Sequence, residues 1–213
     1  MDIVAALEKR ILVLDGAMGT MIQNSLLEEA DFRGDRFMDH PCALKGNNDL
    51  LSITKPELIK NIHLAYLEAG ADIIETNTFS STSIGMADYQ MEALAYELNF
   101  ESAKIGKEAV LIYNEKTPDQ PRFVAGSIGP TNKTASMSPD VNDPGYRAID
   151  FDTLVAAYTE QVAGLIDGGA DVLLVETIFD TLNAKAALYA IHELKTQQQL
   201  DIPIMVSGTI TDA

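Results

Sequence analysis

The chain has a single cysteine, Cys42, among 213 residues. It can form no internal disulfide, which fits a reducing compartment. Basic residues are scarce: 15 Lys and Arg stand against 32 Asp and Glu, a formal net charge of -17. A surface of that sign repels phosphate backbones, so nucleic acid is not an expected partner. No apolar run approaches the roughly 20 residues of a membrane-spanning helix, and no membrane association is expected. The opening MDIVAALEKR lacks the basic start and apolar core of a secretory signal. A cytoplasmic protein is expected. Histidine is also rare. His40 and Cys42 form a two-ligand pair, while His63 and His192 fall on separate predicted helices. Two ligands do not make a zinc site, so no metal site is predicted from these residues.

What is present is the composition of one globular domain, 46% hydrophobic and 22% charged, long enough for a full core. A repeat organises it. Gly70-Ala71-Asp72-Ile73-Ile74-Glu75-Thr76 resembles Gly169-Ala170-Asp171-Val172-Leu173-Leu174-Val175-Glu176-Thr177. Each reads as helix, glycine turn, buried strand, carboxylate. Before the first copy, Thr54 and Glu57 make a T-x-x-E capping box with Pro56 in the first turn. Leu58, Ile59, Ile62, Ala65, Tyr66 and Ala69 then recur at helical spacing. Gly70 stands at the helix stop, where a left-handed conformation is cheap. The second copy follows a helix faced by Leu154, Val155, Tyr158, Val162, Leu165 and Ile166, stopped by Gly168 and Gly169.

Further strands are predicted at Ile11–Leu14, Phe123–Ala125 and Ile204–Ser207, and further helices at roughly Met91–Tyr113 and Thr181–Thr196. Five buried strands alternating with helices imply a parallel sheet. An open doubly wound sheet and an arc of a βα barrel both accommodate that count. Two details favour the barrel. Polar or special residues follow nearly every strand: Asp15-Gly16, Glu75-Thr76, Gly126-Ser127, Glu176-Thr177 and Gly208-Thr209. In a barrel those strand ends converge on one mouth. No G-x-G-x-x-G opens a helix after a strand, so the dinucleotide fingerprint of the open sheet is missing. Two long connections, Met21–Leu51 and Pro130–Asp150, follow strand ends and are expected over the mouth.

LDGAMGTMIQ (Leu14–Gln23), CALKGNNDLL (Cys42–Leu51), ADIIETNTF (Ala71–Phe79), GPTNKTASMSPDVNDP (Gly129–Pro144), ETIFDTLNAKAA (Glu176–Ala187) and SGTITDA (Ser207–Ala213) resemble the homocysteine S-methyltransferase domain. More narrowly, they are similar to the N-terminal module of cobalamin-dependent methionine synthases. The resemblance covers essentially the whole chain, residues 1–213, in register. It implies an α/β fold, a (β/α)8 TIM-type barrel of which this chain supplies about the first five βα units. It implies an activity too. In the family, a zinc ion held by three cysteines binds homocysteine, whose thiolate takes a methyl group from methylcobalamin to give methionine. The folate- and cobalamin-binding modules that serve this reaction belong to later parts of the polypeptide. The family's zinc cysteines follow later strands, and Cys42 matches none of them, so this chain by itself is expected to hold no zinc and to be inactive.

The resemblance also names site residues. Glu176 matches the glutamate that binds the amino group of homocysteine, and Asp15 matches a family Asp-Gly position beside the substrate. Gly16, without a Cβ, lets the backbone approach the substrate carboxylate. Thr76 offers a hydroxyl and an N–H at the end of its strand. Each has a plainer role available: a turn cap for Asp15, an ion pair for Glu75 or Glu176, a strand residue for Thr76. Helix capping accounts for Asp180 and Asn183. Three other readings are open. A barrel lyase or aldolase would use Glu176 or Asp15 as base and would need a lysine or metal cluster at the strand ends. A cobalamin-independent homocysteine methyltransferase would share the fold. A non-catalytic fragment would keep the fold's first half. Five strands leave two sheet edges open, and association through those edges is expected.

Overall fold

The computed structural model describes residues 2–210, which leaves the last three residues of the SGTITDA motif outside the described part. The first quarter is helical and short-stepped: α1 (Ile3–Leu7), α2 (Met18–Gln23), α3 (Glu29–Arg33) and α4 (Leu51–Thr54). Regular alternation follows: α5 (Pro56–Glu68), β1 (Ile73–Glu75), α6 (Ser83–Met86), α7 (Ala95–Lys116) and β2 (Phe123–Ile128). It continues through α8 (Phe151–Asp167), β3 (Val172–Ile178), α9 (Thr181–Gln198) and β4 (Ile204–Gly208).

The four strands are parallel and lie in sequential order β1-β2-β3-β4. Alternate strand residues face opposite sides. Ile74, Val124, Ile128, Leu173 and Val175 pack with α5, α7, α8 and α9. Ile73, Phe123, Ala125, Val172 and Leu174 pack with α1 and Leu12 on the other side. Sequential order with the long helices on one face is an arc of a βα barrel, not a doubly wound sheet, which would carry helices on both faces. The concave face is apolar at its base, where Ile3 and Ala6 of α1 plug it.

The sequence repeat corresponds to one structural device used twice. Gly70 and Gly169 take φ of +106° and +97°. The amides of Ala71 and Ala170 donate back five residues, to Tyr66 and Leu165, which closes each helix with a Schellman turn. The next residue is aspartate in both copies. Asp72 accepts from the Val13 N–H at 2.9 Å, on the segment beside β1, and Asp171 from the Val124 N–H at 2.8 Å, on β2. Arg10 grips Asp72 with two bonds of 2.7 Å, and Lys107 holds Asp171 at 2.8 Å.

Three expectations are corrected. The first predicted strand, Ile11–Leu14, is only a parallel bridge between Leu14 and Ile73. The Asp72 carboxylate takes the Val13 amide below the bridge, the Asp15 side chain takes the Glu75 amide above it, and Ile11 is 90% exposed at the open edge. The Thr54 capping box does not form. Thr54 ends α4 and donates its hydroxyl to the Leu50 carbonyl, while Lys55, kept out of the helical region by Pro56, stands at the N-cap of α5 without a side-chain bond. The helix expected from Met91 starts at Ala95, after short 3-10 turns at Ala87–Tyr89 and Glu92–Leu94.

Candidate functional site

Above its apolar base, the concave face ends in polar side chains. Glu75 closes β1, Ser127 lies near the end of β2, and Glu176 lies in β3. These positions share parity with the concave-facing residues below them, so one alternation sets both the dry base and the polar rim. Asp15 joins them from the residue after Leu14, and its Oδ2 accepts from the Glu75 N–H at 3.0 Å.

Glu176 is aimed by an irregularity. Val175 pairs with Val206 and Ile178 with Gly208, so Glu176 and Thr177 together oppose one residue of β4. This is a β-bulge, which bends a strand and redirects its side chains. Thr177 sits within it at φ +53°, a left-handed conformation that a β-branched residue adopts only at a cost.

A cavity of about 550 Å³ opens over this rim, bounded by Gly16, Glu75, Thr76, Ser127 and Glu176 below. Both long connections contribute to it, through Asn47–Asp49 and Pro130–Asn132. The first connection is latched by Asp49, whose Oδ2 accepts from the Ser80 N–H and the Ser81 hydroxyl, both at 2.8 Å. Asn77 adds a bond from Nδ2 to the Asn48 carbonyl at 2.8 Å. The second is anchored by Asp180 and Asn183. Asp180 caps α9 by accepting from Leu182 and Asn183, and it also accepts from Ser136. Asn183 accepts from the Ala135 N–H and donates to the Lys133 carbonyl. Asp180 is thus both a cap and an anchor, while Asn183 anchors the connection without a side-chain capping bond, which corrects the role expected of it.

The cavity is acidic and without cations. Asp49, Glu75, Asp88 and Glu176 line it, and among the described residues no lysine, arginine or histidine does. Burial pushes Asp15 up to about 7 and Glu75 up to about 8, and the nearby Glu176 charge pushes both in the same direction. Burial raises Asp49 to about 6, against the pull of its two hydroxyl and amide donors. Asp15 Oδ1 is buried and has no hydrogen-bond partner among the described residues. A carboxylate-rich enclosure with no lining cation among the described residues suits one ligand ammonium.

The four residues expected in a substrate site thus gather at one end of the sheet, in different roles. Glu176 and Gly16 line the cavity, while Asp15 lies just behind it. A Cβ on Gly16 would come within 3.3 Å of the Tyr66 ring. Thr76 lines the wall, but its N–H donates to Ala125 and its hydroxyl is engaged with Ser127 and Thr78. Sequence reasoning missed Asp49 and Asn77, whose loop positions carry no periodicity. It noted Ser127 only as a polar strand end. Among the described residues no lysine lines the cavity, where a lyase or aldolase reading would place one.

The remaining candidates lie elsewhere. His40 Nε2 meets the Tyr89 carbonyl at 2.7 Å, and Cys42 offers its carbonyl to Arg33. His63 is fully buried in α5, its ring pushed down to about 4 by desolvation. Among the described residues, no group of three or more His, Cys, Asp or Glu is placed to hold a metal ion, and Cys42 is outside the cavity lining. These residues do not fit the zinc that the family resemblance implies. No helix among the described residues is long and apolar enough to cross a membrane.

Comparison with known proteins agrees with the geometry. The family model described as homocysteine S-methyltransferase matches residues 12–213. Among solved structures, the homocysteine methyltransferase MmuM from Escherichia coli is similar in its metallated and oxidized forms, at TM-score 0.72 and 26% identity. Its apo form matches at TM-score 0.65 with the same identity. The match covers 98% of this chain but 66% of the metallated structure, so this chain spans just under two thirds of that relative's length. With a family match over nearly its whole length and a barrel arc that superposes on a solved member, the chain belongs to the homocysteine S-methyltransferase family.

Proposed function

We propose that this chain forms the amino-acid-recognising part of a homocysteine S-methyltransferase, of the kind found at the N-terminus of cobalamin-dependent methionine synthases. The observation that carries the reading is the cation-free cavity at the strand ends, ringed by Glu75 and Glu176 and backed by Asp15. Homocysteine brings an ammonium, a carboxylate and a thiol. Glu176 receives the ammonium. Asp15 and Glu75, both held partly protonated near neutrality, adjust their protons to the arriving charge. Gly16 admits the substrate carboxylate against the backbone, and Thr76 shapes the wall between them. The cavity far exceeds one small amino acid, which leaves room for a methyl donor above it.

The finer features of that family reading belong to the same proposal. Thiol activation by zinc, methyl delivery from methylcobalamin and its renewal by a folate-binding module are functions of groups that this chain's residues do not hold. The chain's own residues bind and orient the amino acid and balance its charge.

The test is calorimetric titration of homocysteine into the chain and into its Glu176→Gln variant. A lost charge on the ammonium partner weakens binding by at least about tenfold. Unchanged affinity would remove Glu176 from the site.

A further inference from the structure

Glu176 is not held by its own strand alone. Ser127, on the neighbouring strand β2, donates its hydroxyl to Glu176 Oε1 at 2.5 Å. Ser127 is itself fixed with unusual completeness. Its N–H donates to Thr76 Oγ1 at 2.9 Å, and its carbonyl accepts from Thr78 Oγ1 at 2.8 Å. The two threonine hydroxyls meet at 2.6 Å.

Proton counting sets the direction of every bond in this ring. Each hydroxyl has one proton. That of Thr78 goes to the Ser127 carbonyl, so between the threonines Thr76 must be the donor. Thr76 Oγ1 in turn accepts from the Ser127 N–H. The loop runs from the Ser127 amide through Thr76 and Thr78 and back to the Ser127 carbonyl, with each donor and acceptor used once. All three residues are at least 95% buried, where fully satisfied polar networks rigidify their surroundings. The ring grips only the backbone of Ser127, which leaves its hydroxyl proton committed to Glu176. Oε2 of Glu176 has no hydrogen-bond partner among the described residues and is the oxygen left for a ligand.

We propose that Ser127, locked by the Thr76–Thr78 hydroxyl ring, is a positioning residue that fixes the Glu176 carboxylate for an amino-acid ammonium. This deepens the reading of Glu176 given above and rests on it. It also assigns Thr76 an indirect role: it holds the residue that holds the carboxylate.

A double-mutant cycle tests the proposal, with homocysteine affinity measured calorimetrically for the chain, Ser127→Ala, Glu176→Ala and the double variant. Alanine keeps the backbone ring, so Ser127→Ala should fold and melt close to the parent. It should weaken homocysteine about tenfold, the loss expected for one hydrogen bond to a charged group. In the Glu176→Ala background the same change should have no further effect. Additive losses, or an intact affinity in Ser127→Ala beside a weakened Glu176→Ala, would overturn it. If the parent chain binds no homocysteine, the functional reading falls on its own, and a crystal structure of Ser127→Ala decides the positioning claim. A Glu176 carboxylate swung from its present place supports the claim, and an unmoved one refutes it.

Discussion

Thr177 carries a backbone cost in full view of the candidate site. Its φ of +53° in a β-branched residue is worth on the order of 1–3 kcal/mol, and it coincides with the bulge that redirects Glu176. Replacing it with glycine removes the strain. Thr177→Gly should raise the unfolding free energy by about 1 kcal/mol, seen as a rise in melting temperature of about 2–4 °C. It should also loosen the strand beside Glu176 and weaken homocysteine binding. A variant that melts lower would show that the left-handed threonine is not strained. Nothing in the sequence marked this residue. Glu176-Thr177 reads as a strand end, and a bulge becomes visible only when a second strand supplies the register. The acids at strand ends, Asp15, Glu75 and Glu176, could be singled out because a carboxylate ending an apolar run is costly unless it has a use, whereas Asp49 in its loop could not. The preoccupation of Thr76 was not, because its partners Ser127 and Thr78 are set by pairing between strands.

At the scale of elements, the glycine turns and the long helices were readable from periodicity and chemistry. Their mutual contacts were not. α7 and α8 lie so close that a Cβ on Gly164 would stand 2.6 Å from the Tyr96 carbonyl oxygen and 2.9 Å from the Asn99 Cβ. In an isolated helix, Gly to Ala is stabilising by about 1 kcal/mol. Here the backbone of α7 cannot retreat, so Gly164→Ala should lower stability by about 1–3 kcal/mol in urea unfolding. A stabilised variant would mean that the two helices have slack. The short first strand teaches the same lesson in reverse. Its apolar pattern is that of a ladder strand, but Asp72 takes the Val13 amide and Arg10 secures Asp72. Above the single Leu14–Ile73 bridge, the Glu75 amide that would continue the ladder donates to the Asp15 side chain instead.

For the whole molecule, the barrel arc has a charge problem that pH can tune. Asp15 and Glu75 titrate at about 7 and about 8 in the fold, well above ordinary carboxylates near 4. Between pH 6.5 and 8 the folded chain therefore binds more protons than the unfolded one, and stability falls as pH rises. The buried His63, lowered to about 4, opposes this trend only near pH 6.5, where an unfolded histidine is half protonated, and its contribution is smaller than that of the two carboxyl groups. Chemical denaturation should give a smaller unfolding free energy at pH 8 than at pH 6.5, and a flat or rising profile would contradict the raised values of Asp15 and Glu75. The arc is also open at both edges. Val13 is 55% exposed on one and Val206 59% exposed on the other. Concentration-dependent association should follow in size-exclusion chromatography, and a monomer at all concentrations would show the edges to be inert.

The account turns on the ammonium. Its most direct test is to titrate the chain with homocysteine and with 4-mercaptobutanoate, which keeps the thiol and carboxylate but lacks the amino group. The acidic, cation-free cavity predicts that homocysteine binds and releases protons, at least about tenfold more tightly than the analogue. Equal affinity, or tighter binding of the analogue, would mean that Glu176, Glu75 and Asp15 do not recognise an amino acid.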